Sequence, residues 1–123
     1  RLMSSLMDRE RMMTTGIGHG VATPHPRQPI SGMFPEPAVV FGVCPAGTDY
    51  AAIDDQLVHA FFLICATRIE VHLDLMAKVA WLMRQPEIED LKRADSAEQV
   101  VSLVAQASER MKRAAEGKSG RRA

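Results

Sequence analysis

The sequence is poor in cysteine and has no excess charge of either sign, and both features exclude classes of protein. Cys44 and Cys65 are the two cysteines, and they form no Cys-x-x-Cys pattern of a redox or zinc site. Both lie in apolar segments, where a thiol behaves as a small hydrophobe, which suits a reducing cytoplasm. Fifteen Lys and Arg residues balance fifteen Asp and Glu residues. No overall charge therefore attracts the chain to nucleic acid or to an anionic membrane.

Long apolar segments are also lacking. The longest uninterrupted one covers residues 60–66, far short of the roughly 20 residues that cross a bilayer, so we expect no membrane insertion. A chain of 123 residues that is 46% hydrophobic suffices for one compact domain. We place that domain at residues 1–115 and expect a flexible tail at 116–123, which has no apolar face. The opening residues resemble the middle of a helix, so we expect the domain to lack its N-terminal elements.

Hydrophobic periodicity predicts a mixture of helices and strands. Helices are expected at residues 1–13, 68–85 and 87–92, with a last helix that begins after a capping box at residues 96–99. Strands are expected at 21–23, 38–44 and 57–65, and the last two are apolar enough to be covered on both faces. A proline-rich irregular loop is expected at 27–37. With no internal repeat, the pattern predicts a single α/β domain with a mixed β-sheet covered by helices.

Three glycines precede a histidine that lies between two prolines, Pro24-His25-Pro26. The glycine run 16–20 is not a dinucleotide fingerprint, because Val21 stands where a third glycine is needed, and no Lys-Ser or Lys-Thr completes a phosphate-binding loop. Its expected role is to shape the backbone before His25. Because a proline on each side restricts the backbone, the imidazole is presented in a fixed direction at a strand end.

Several segments, taken in order, resemble one family. Arg9-Glu10-x4-Thr15-Gly16-Ile17-Gly18-x-Gly20-Val21-Ala22-x-Pro24-His25 is similar to the phosphorylation-site segment of the enzyme IIA domains of the mannitol, fructose and nitrogen-related phosphotransferase systems. Ala52-Ile53-Asp54-Asp55-Gln56-x-Val58, Val71-His72-Leu73-x-Leu75-x-Ala77 and Ser96-Ala97-Glu98 are similar to the second half of such domains. The resemblance extends over about residues 2–105.

The resemblance implies a role for three side chains. His25 matches the phosphorylated histidine of the family, His72 its second active-site histidine and Arg9 its active-site arginine. The chemistry agrees, because an imidazole that titrates near neutrality can accept a phosphoryl group and release it again. A guanidinium fork and a second imidazole N–H can stabilise the charge on the phosphoryl oxygens. No metal and no cofactor is implied.

Other interpretations of these residues remain open. His72 lies on the apolar face of its helix and could be a partly buried core histidine, while Arg9 could be a solvated helix charge. His19 replaces the asparagine usual in the family and is expected to be exposed, and His59 is expected to be structural. A zinc site built from His19, His25, His72 and a cysteine has suitable ligands but no recognised spacing. Pro26 replaces the usual glycine and removes a backbone N–H beside His25.

Two hypotheses of function follow. In the first, the domain is a phosphoryl carrier: an HPr-like phosphocarrier protein phosphorylates His25, which passes the group to a IIB component or uses it as a regulatory signal, the nitrogen-regulatory type being favoured. In the second, it is a non-catalytic binding module of the same fold that regulates a target protein, and a fusion to a DNA-binding domain is one form of this hypothesis. Neither hypothesis requires direct nucleic acid contact by this domain.

Overall fold

The computed structural model describes residues 1–26, 28–29 and 32–120, with the side chains of 118–120 excepted. Parts of two predicted segments, Arg27, Ile30 and Ser31 of the loop and residues 121–123 of the tail, lie outside these ranges. The elements in chain order are α1 (Leu2–Met12), β1 (Gly16–Gly18), β2 (Val21–Ala22), β3 (Ala38–Thr48), β4 (Val58–Cys65), α2 (Ile69–Leu82), α3 (Glu87–Leu91) and α4 (Ala97–Gly120). The predicted mixed α/β fold is confirmed.

The four strands form one mixed sheet in the order β1-β2-β4-β3. β1 pairs antiparallel with β2, β2 pairs parallel with β4, and β4 pairs antiparallel with β3. The parallel pair determines where the site lies, because the carboxyl ends of β2 and β4 meet at one edge. His25 follows β2 at that edge. α2, which carries His72, follows β4 there.

β4, an inner strand of the sheet, and β3, an edge strand, differ in burial although both sequences are apolar. Along β4, Val58, Ala60, Phe62 and Ile64 are buried and the residues between them are half-buried. β3 was expected to be covered on both faces, and this expectation is wrong for its start. Val40 there is 54% exposed. β3 is the last strand of the order, and an apolar groove of about 660 Å³ separates part of it from α2 and α4.

The main core lies between the sheet and helices α2, α3 and α4. Its buried members are Val21, Ala60, Phe62, Ile64, Val79, Leu82, Ile88, Leu91 and Ala107. α4 begins at its predicted cap, where the Gln99 N–H donates to the Ser96 hydroxyl at 3.1 Å. It continues through Gly120, beyond the predicted domain boundary at residue 115. The division of the chain into a domain at 1–115 and a tail at 116–123 stays a prediction.

A bidentate ion pair joins α3 to α4. The guanidinium of Arg110 donates to both carboxylate oxygens of Glu87, and the contact from Nη2 to Oε2 measures 2.6 Å. Glu87 is buried, and the hydrogen bonds from Arg110 lower the pKa of its carboxyl group. The pair satisfies a carboxylate that would otherwise be buried without a partner.

Candidate functional site

His25 is held in one tautomer by the chemistry of its two neighbours. Its Nδ1 lies 2.7 Å from the carbonyl oxygen of Thr23, which can only accept a hydrogen bond. The Nε–H of Arg9 donates to Nε2 at 3.2 Å, and a guanidinium can only donate. Nδ1 therefore carries the proton and Nε2 carries the lone pair. His25 is half-buried, so that lone pair lies at the surface of the protein beside a cation.

The backbone that carries His25 is fixed by both neighbouring strands. The Thr23 N–H donates to the Thr15 carbonyl at 2.9 Å, and the Ile64 N–H donates to the Pro24 carbonyl at 3.0 Å. These bonds extend the pairing of β2 beyond its last residue on both sides. The imidazole is thus anchored to the centre of the sheet although it lies on a connecting segment.

Arg9 lies in the last turn of α1 and reaches His25 across sixteen positions of sequence. Its Nη1 also donates to the Met13 carbonyl at 2.6 Å, just beyond the end of the helix. The guanidinium is therefore oriented by two acceptors at once. Such a fixed fork is suited to contacting two oxygens of one anion.

His72 lies in the first turn of α2, and its ring is close to that of His25. The ring centroids are 4.9 Å apart, with the planes inclined at 53°. Burial lowers the pKa of His72, and the nearby His25 lowers it further, so the neutral imidazole is favoured. The structure thus brings together His25, His72 and Arg9, the three side chains expected at the site.

A second set of contacts holds the segment between α1 and β1. The carboxylate of Glu10 accepts the Thr15 N–H at 2.9 Å and also accepts the Thr15 hydroxyl proton. Thr15 is 2% exposed, and its hydroxyl lies 3.4 Å from that of Tyr50. Burial is the main cause of the raised pKa of Tyr50, which therefore remains a neutral phenol. Glu10 thus satisfies a buried backbone donor and a buried hydroxyl.

The glycine run forms the turn between β1 and β2. Gly18 and Gly20 have φ of 102° and 78°, values that side chains with a Cβ rarely adopt. Asp54 Oδ2 accepts the His19 N–H at 3.0 Å, and this bond is the main cause of the lowered pKa of Asp54. Lys92 Nζ donates to the His19 carbonyl at 2.9 Å. The run shapes the backbone, as expected, and His19 is exposed.

The remaining candidate features lie apart from this arrangement. His59 Nδ1 lies 3.1 Å from the Pro45 carbonyl oxygen and 3.2 Å from the Cys44 carbonyl oxygen. These backbone contacts agree with the structural role expected of His59. Among the residues that the structure describes, no three His, Cys, Asp or Glu side chains are grouped so that they could hold a metal ion. None of the helices within the described ranges is long and apolar enough to cross a membrane.

Most of the chain matches the sequence profile of one known protein family. Residues 1–107 match the sequence profile of the family described as "Phosphoenolpyruvate-dependent sugar phosphotransferase system, EIIA 2". The chain belongs to this family. This match confirms the resemblance seen in the sequence. The relatives of the chain include sugar-specific proteins and nitrogen regulatory proteins.

Two relatives and one solved structure illustrate the range. The chain is 31% identical to the fructose-specific EIIABC component of Bacillus subtilis. The 105 aligned residues cover 83% of this chain and 16% of that protein. It is 32% identical over 107 residues to a nitrogen regulatory protein of Pseudomonas aeruginosa, covering 84% and 67% of the two chains. The fold matches enzyme IIA of the mannitol system, solved in complex with phosphorylated IIB from Escherichia coli, at a TM-score of 0.74 and 23% identity. That match covers 85% of this chain and 73% of the other.

Glu10 and Thr15 have no role that follows from the sequence, although both belong to the motif that resembles the family. Their signal was the order of residue types: an acid directly after the arginine, followed five positions later by a threonine at the start of a strand. Only the folded backbone shows that the acid turns back to that threonine. The role of Tyr50 had no signal in the sequence, because its contact to Thr15 spans thirty-five positions.

Proposed function

We propose that this domain is a phosphoryl carrier of the phosphoenolpyruvate-dependent phosphotransferase system and that Nε2 of His25 carries the phosphoryl group. The observation that supports this proposal most directly is the tautomer of His25. Its proton is held on Nδ1 by the Thr23 carbonyl, and its lone pair on Nε2 is directed toward Arg9. An imidazole whose lone pair becomes free when the guanidinium moves aside can act as the nucleophile.

The transfer is a displacement at phosphorus. The Nε2 lone pair of His25 forms the new N–P bond, the N–P bond of the donor phosphohistidine breaks, and the donor nitrogen keeps the electron pair of that bond. When the other nitrogen of the donor ring carries a proton, the donor leaves as a neutral imidazole and no further proton is needed. In the resting site the Nε–H of Arg9 occupies the lone pair of Nε2. The guanidinium must therefore leave Nε2 as the phosphoryl group arrives, and it then donates to the phosphoryl oxygens. The carbonyl of Thr23 stabilises the N–H of the imidazole on which positive charge develops.

The second imidazole complements the arginine. Because the lowered pKa of His72 favours its neutral form, the resting site does not place two imidazolium cations side by side. A phosphoryl group with a charge near −2 reverses this preference, since an anion beside an imidazole raises its pKa. We propose that His72 then donates an N–H to the phosphoryl oxygens without bonding to phosphorus itself.

The proposed donor is an HPr-like phosphocarrier protein, and the proposed acceptor is a IIB component or a regulatory target protein. The solved complex of mannitol enzyme IIA with phosphorylated IIB supports a IIB partner for a domain of this fold. The chain matches 65% and 67% of the length of two relatives named as nitrogen regulatory proteins, and 70% of the length of one named as a fructose-specific EIIA component. Relatives of both kinds therefore consist largely of such a domain. Of the two uses we favour the regulatory one, in which the charge of the phosphohistidine controls docking to a target.

The test is reconstitution of the relay. The domain is incubated with radiolabelled phosphoenolpyruvate, enzyme I and HPr, and we expect it to gain one phosphoryl group. The label should be acid-labile and base-stable, because a phosphoramidate hydrolyses when its nitrogen is protonated. Omission of HPr should abolish labelling, and peptide mapping should place the label on His25.

Two results would overturn the proposal. Label that survives mild acid, or that maps to Thr14 or Thr15, would indicate a hydroxyl as the acceptor. No label in the presence of a donor that phosphorylates a known enzyme IIA would support the second hypothesis, a non-catalytic binding module of the same fold.

A further inference from the structure

The helix that carries Arg9 has little apolar anchoring. None of the eleven residues of α1 is buried, and Met3, Met7 and Met12 are exposed. Exposed methionines contribute little apolar burial that would fix the rotation or the position of a helix. Yet the guanidinium of Arg9 meets one nitrogen of His25 at 3.2 Å. Polar contacts near the end of α1 must therefore do much to hold the Arg9 guanidinium at this distance from His25.

Glu10 makes such contacts at the position after Arg9. Both oxygens of its carboxylate are engaged by one residue, Thr15, through the backbone N–H at 2.9 Å and through the side-chain hydroxyl. Hydrogen bonds to an ionised acceptor are about twice as strong as neutral ones, and two of them restrict the carboxylate in distance and in angle. Because Thr15 is 2% exposed, the other end of this clamp is part of the protein interior.

The same threonine leads directly to the imidazole. The Thr15 carbonyl accepts the Thr23 N–H at 2.9 Å, and the Thr23 carbonyl accepts the Nδ1–H of His25 at 2.7 Å. A continuous path thus runs from Glu10 through Thr15 and Thr23 to His25. One end of this path lies next to Arg9 in the chain, and the other end is the ring that Arg9 must meet.

We propose that Glu10 is a positioning residue for the phosphoryl transfer: by clamping Thr15 it holds Arg9 in register with His25. This inference rests on the proposed function, because it concerns the same site. Glu10 does not touch the reacting nitrogen and transfers no proton. Its contribution is to hold the end of α1 beside His25, so that the guanidinium meets the phosphoryl oxygens once it has left Nε2, and a displacement of about 1 Å can cost on the order of a hundredfold in rate.

The experiment compares Glu10→Ala with Asp8→Ala. Asp8 is a matched control because it is an exposed acid of the same helix, paired with the exposed Arg11 at 3.3 Å. Phosphorylation by the HPr-like donor is measured over a range of donor concentrations, after circular dichroism has shown that each variant is folded. We expect Glu10→Ala to lower kcat about tenfold or more with little change in KM, and Asp8→Ala to leave both unchanged.

A double-mutant cycle tests the route through Arg9. In an Arg9→Ala background, the further change Glu10→Ala should slow transfer by less than twofold, because no guanidinium remains to be positioned. Thr15→Ser keeps the hydroxyl and should retain most of the activity, while Thr15→Val should resemble Glu10→Ala. A full additional tenfold loss in the Arg9→Ala background would overturn the inference, as would an unchanged kcat in Glu10→Ala.

A spectroscopic measurement separates this inference from the proposed function. In nitrogen NMR of the unphosphorylated protein, hydrogen bonding by Arg9 shifts the Nε2 signal of His25, and we expect Glu10→Ala to move that signal toward its value in Arg9→Ala. This shift requires no transfer. If the wild-type protein accepts no phosphoryl group but the shift occurs, the proposed function fails and the positioning contact stands. If the wild-type protein is phosphorylated and neither kcat nor the signal changes in Glu10→Ala, the positioning inference alone fails.

Discussion

Replacement of Arg9 by lysine tests whether the guanidinium acts through its geometry or only through its charge. In the structure Arg9 uses Nη1 for the Met13 carbonyl and Nε for His25. Lysine keeps the positive charge but offers a single ammonium group, which cannot bind the Met13 carbonyl and contact two phosphoryl oxygens at the same time. Arg9→Lys should therefore lose at least one charged contact in the transition state.

The size of the effect follows from the value of one such contact. A hydrogen bond to a charged group contributes about 1.5–3 kcal/mol. If that contact exists only in the transition state, its loss slows transfer by about 10- to 150-fold, since each 1.36 kcal/mol corresponds to a factor of ten. The fold should persist, because no residue of α1 is buried.

The assay follows the rate of label transfer from phosphorylated HPr to each variant, with thermal unfolding as a check on the fold. Arg11→Lys is the matched control, because Arg11 belongs to the same helix and its side chain is 73% exposed. If Arg9 served only to attract an acidic donor, Arg9→Lys would change KM slightly and leave kcat intact. A wild-type kcat in Arg9→Lys would refute the reasoning and leave Arg9 as a solvated helix charge.

Three further predictions concern the second histidine and the ion pair of the last helix. His25→Ala should accept no phosphoryl group, while His72→Ala should still accumulate phosphorylated His25 at a rate lower by about a hundredfold, the usual cost of a lost transition-state donor; labelling of His25→Ala but not of His72→Ala would make His72 the carrier. Because the pKa of His72 is lowered in the folded protein, the unfolded chain binds more protons there, so the free energy of unfolding should fall as pH decreases through the ordinary histidine range near 6.5. Urea denaturation at pH 7.5 and 5 should show a smaller fall in His72→Gln, and an equal fall would contradict the lowered pKa. Arg110→Ala should lower the unfolding temperature because it leaves the buried carboxylate of Glu87 without a partner, whereas Lys112→Ala, which removes an exposed charge of the same helix, should not.

Much of the fold could be predicted from local patterns. The period of the apolar residues located α2, and the proline at position 86 separated it from α3, because a proline cannot continue the hydrogen-bonding pattern of a helix. The capping box located the start of α4. Strand order was different: β3 and β4 have similar apolar sequences, but which one becomes the inner strand depends on partners elsewhere in the chain. The exposure of Val40 in β3 is a consequence of that order and has no local signal.

The candidate site was predictable in its residues but not in its connections. The histidine between two prolines at the end of a short strand is visible in the sequence, and the resemblance indicated Arg9 and His72. The tautomer of His25 depends on the Thr23 carbonyl two positions earlier, and only the folded backbone places that carbonyl against Nδ1. The clamp from Glu10 to Thr15 is local, but its value depends on the weak burial of α1, which is a property of the whole fold.

The few donors proposed to contact the phosphoryl group favour its onward transfer over its tight retention. A phosphoryl group adds a charge near −2, and the groups proposed to meet it are one guanidinium and one imidazole, which is neutral in the resting protein. The residue after His25 is Pro26, which has no N–H to donate, so this segment lacks a backbone contact that any other residue could have offered. Donors that bind the phosphoryl group more strongly in the ground state than in the transition state would slow its departure, because they raise the barrier to transfer. With few proposed donors and a ring held through Nδ1 by the Thr23 carbonyl, we expect the proposed carrier to pass its phosphoryl group on rather than retain it.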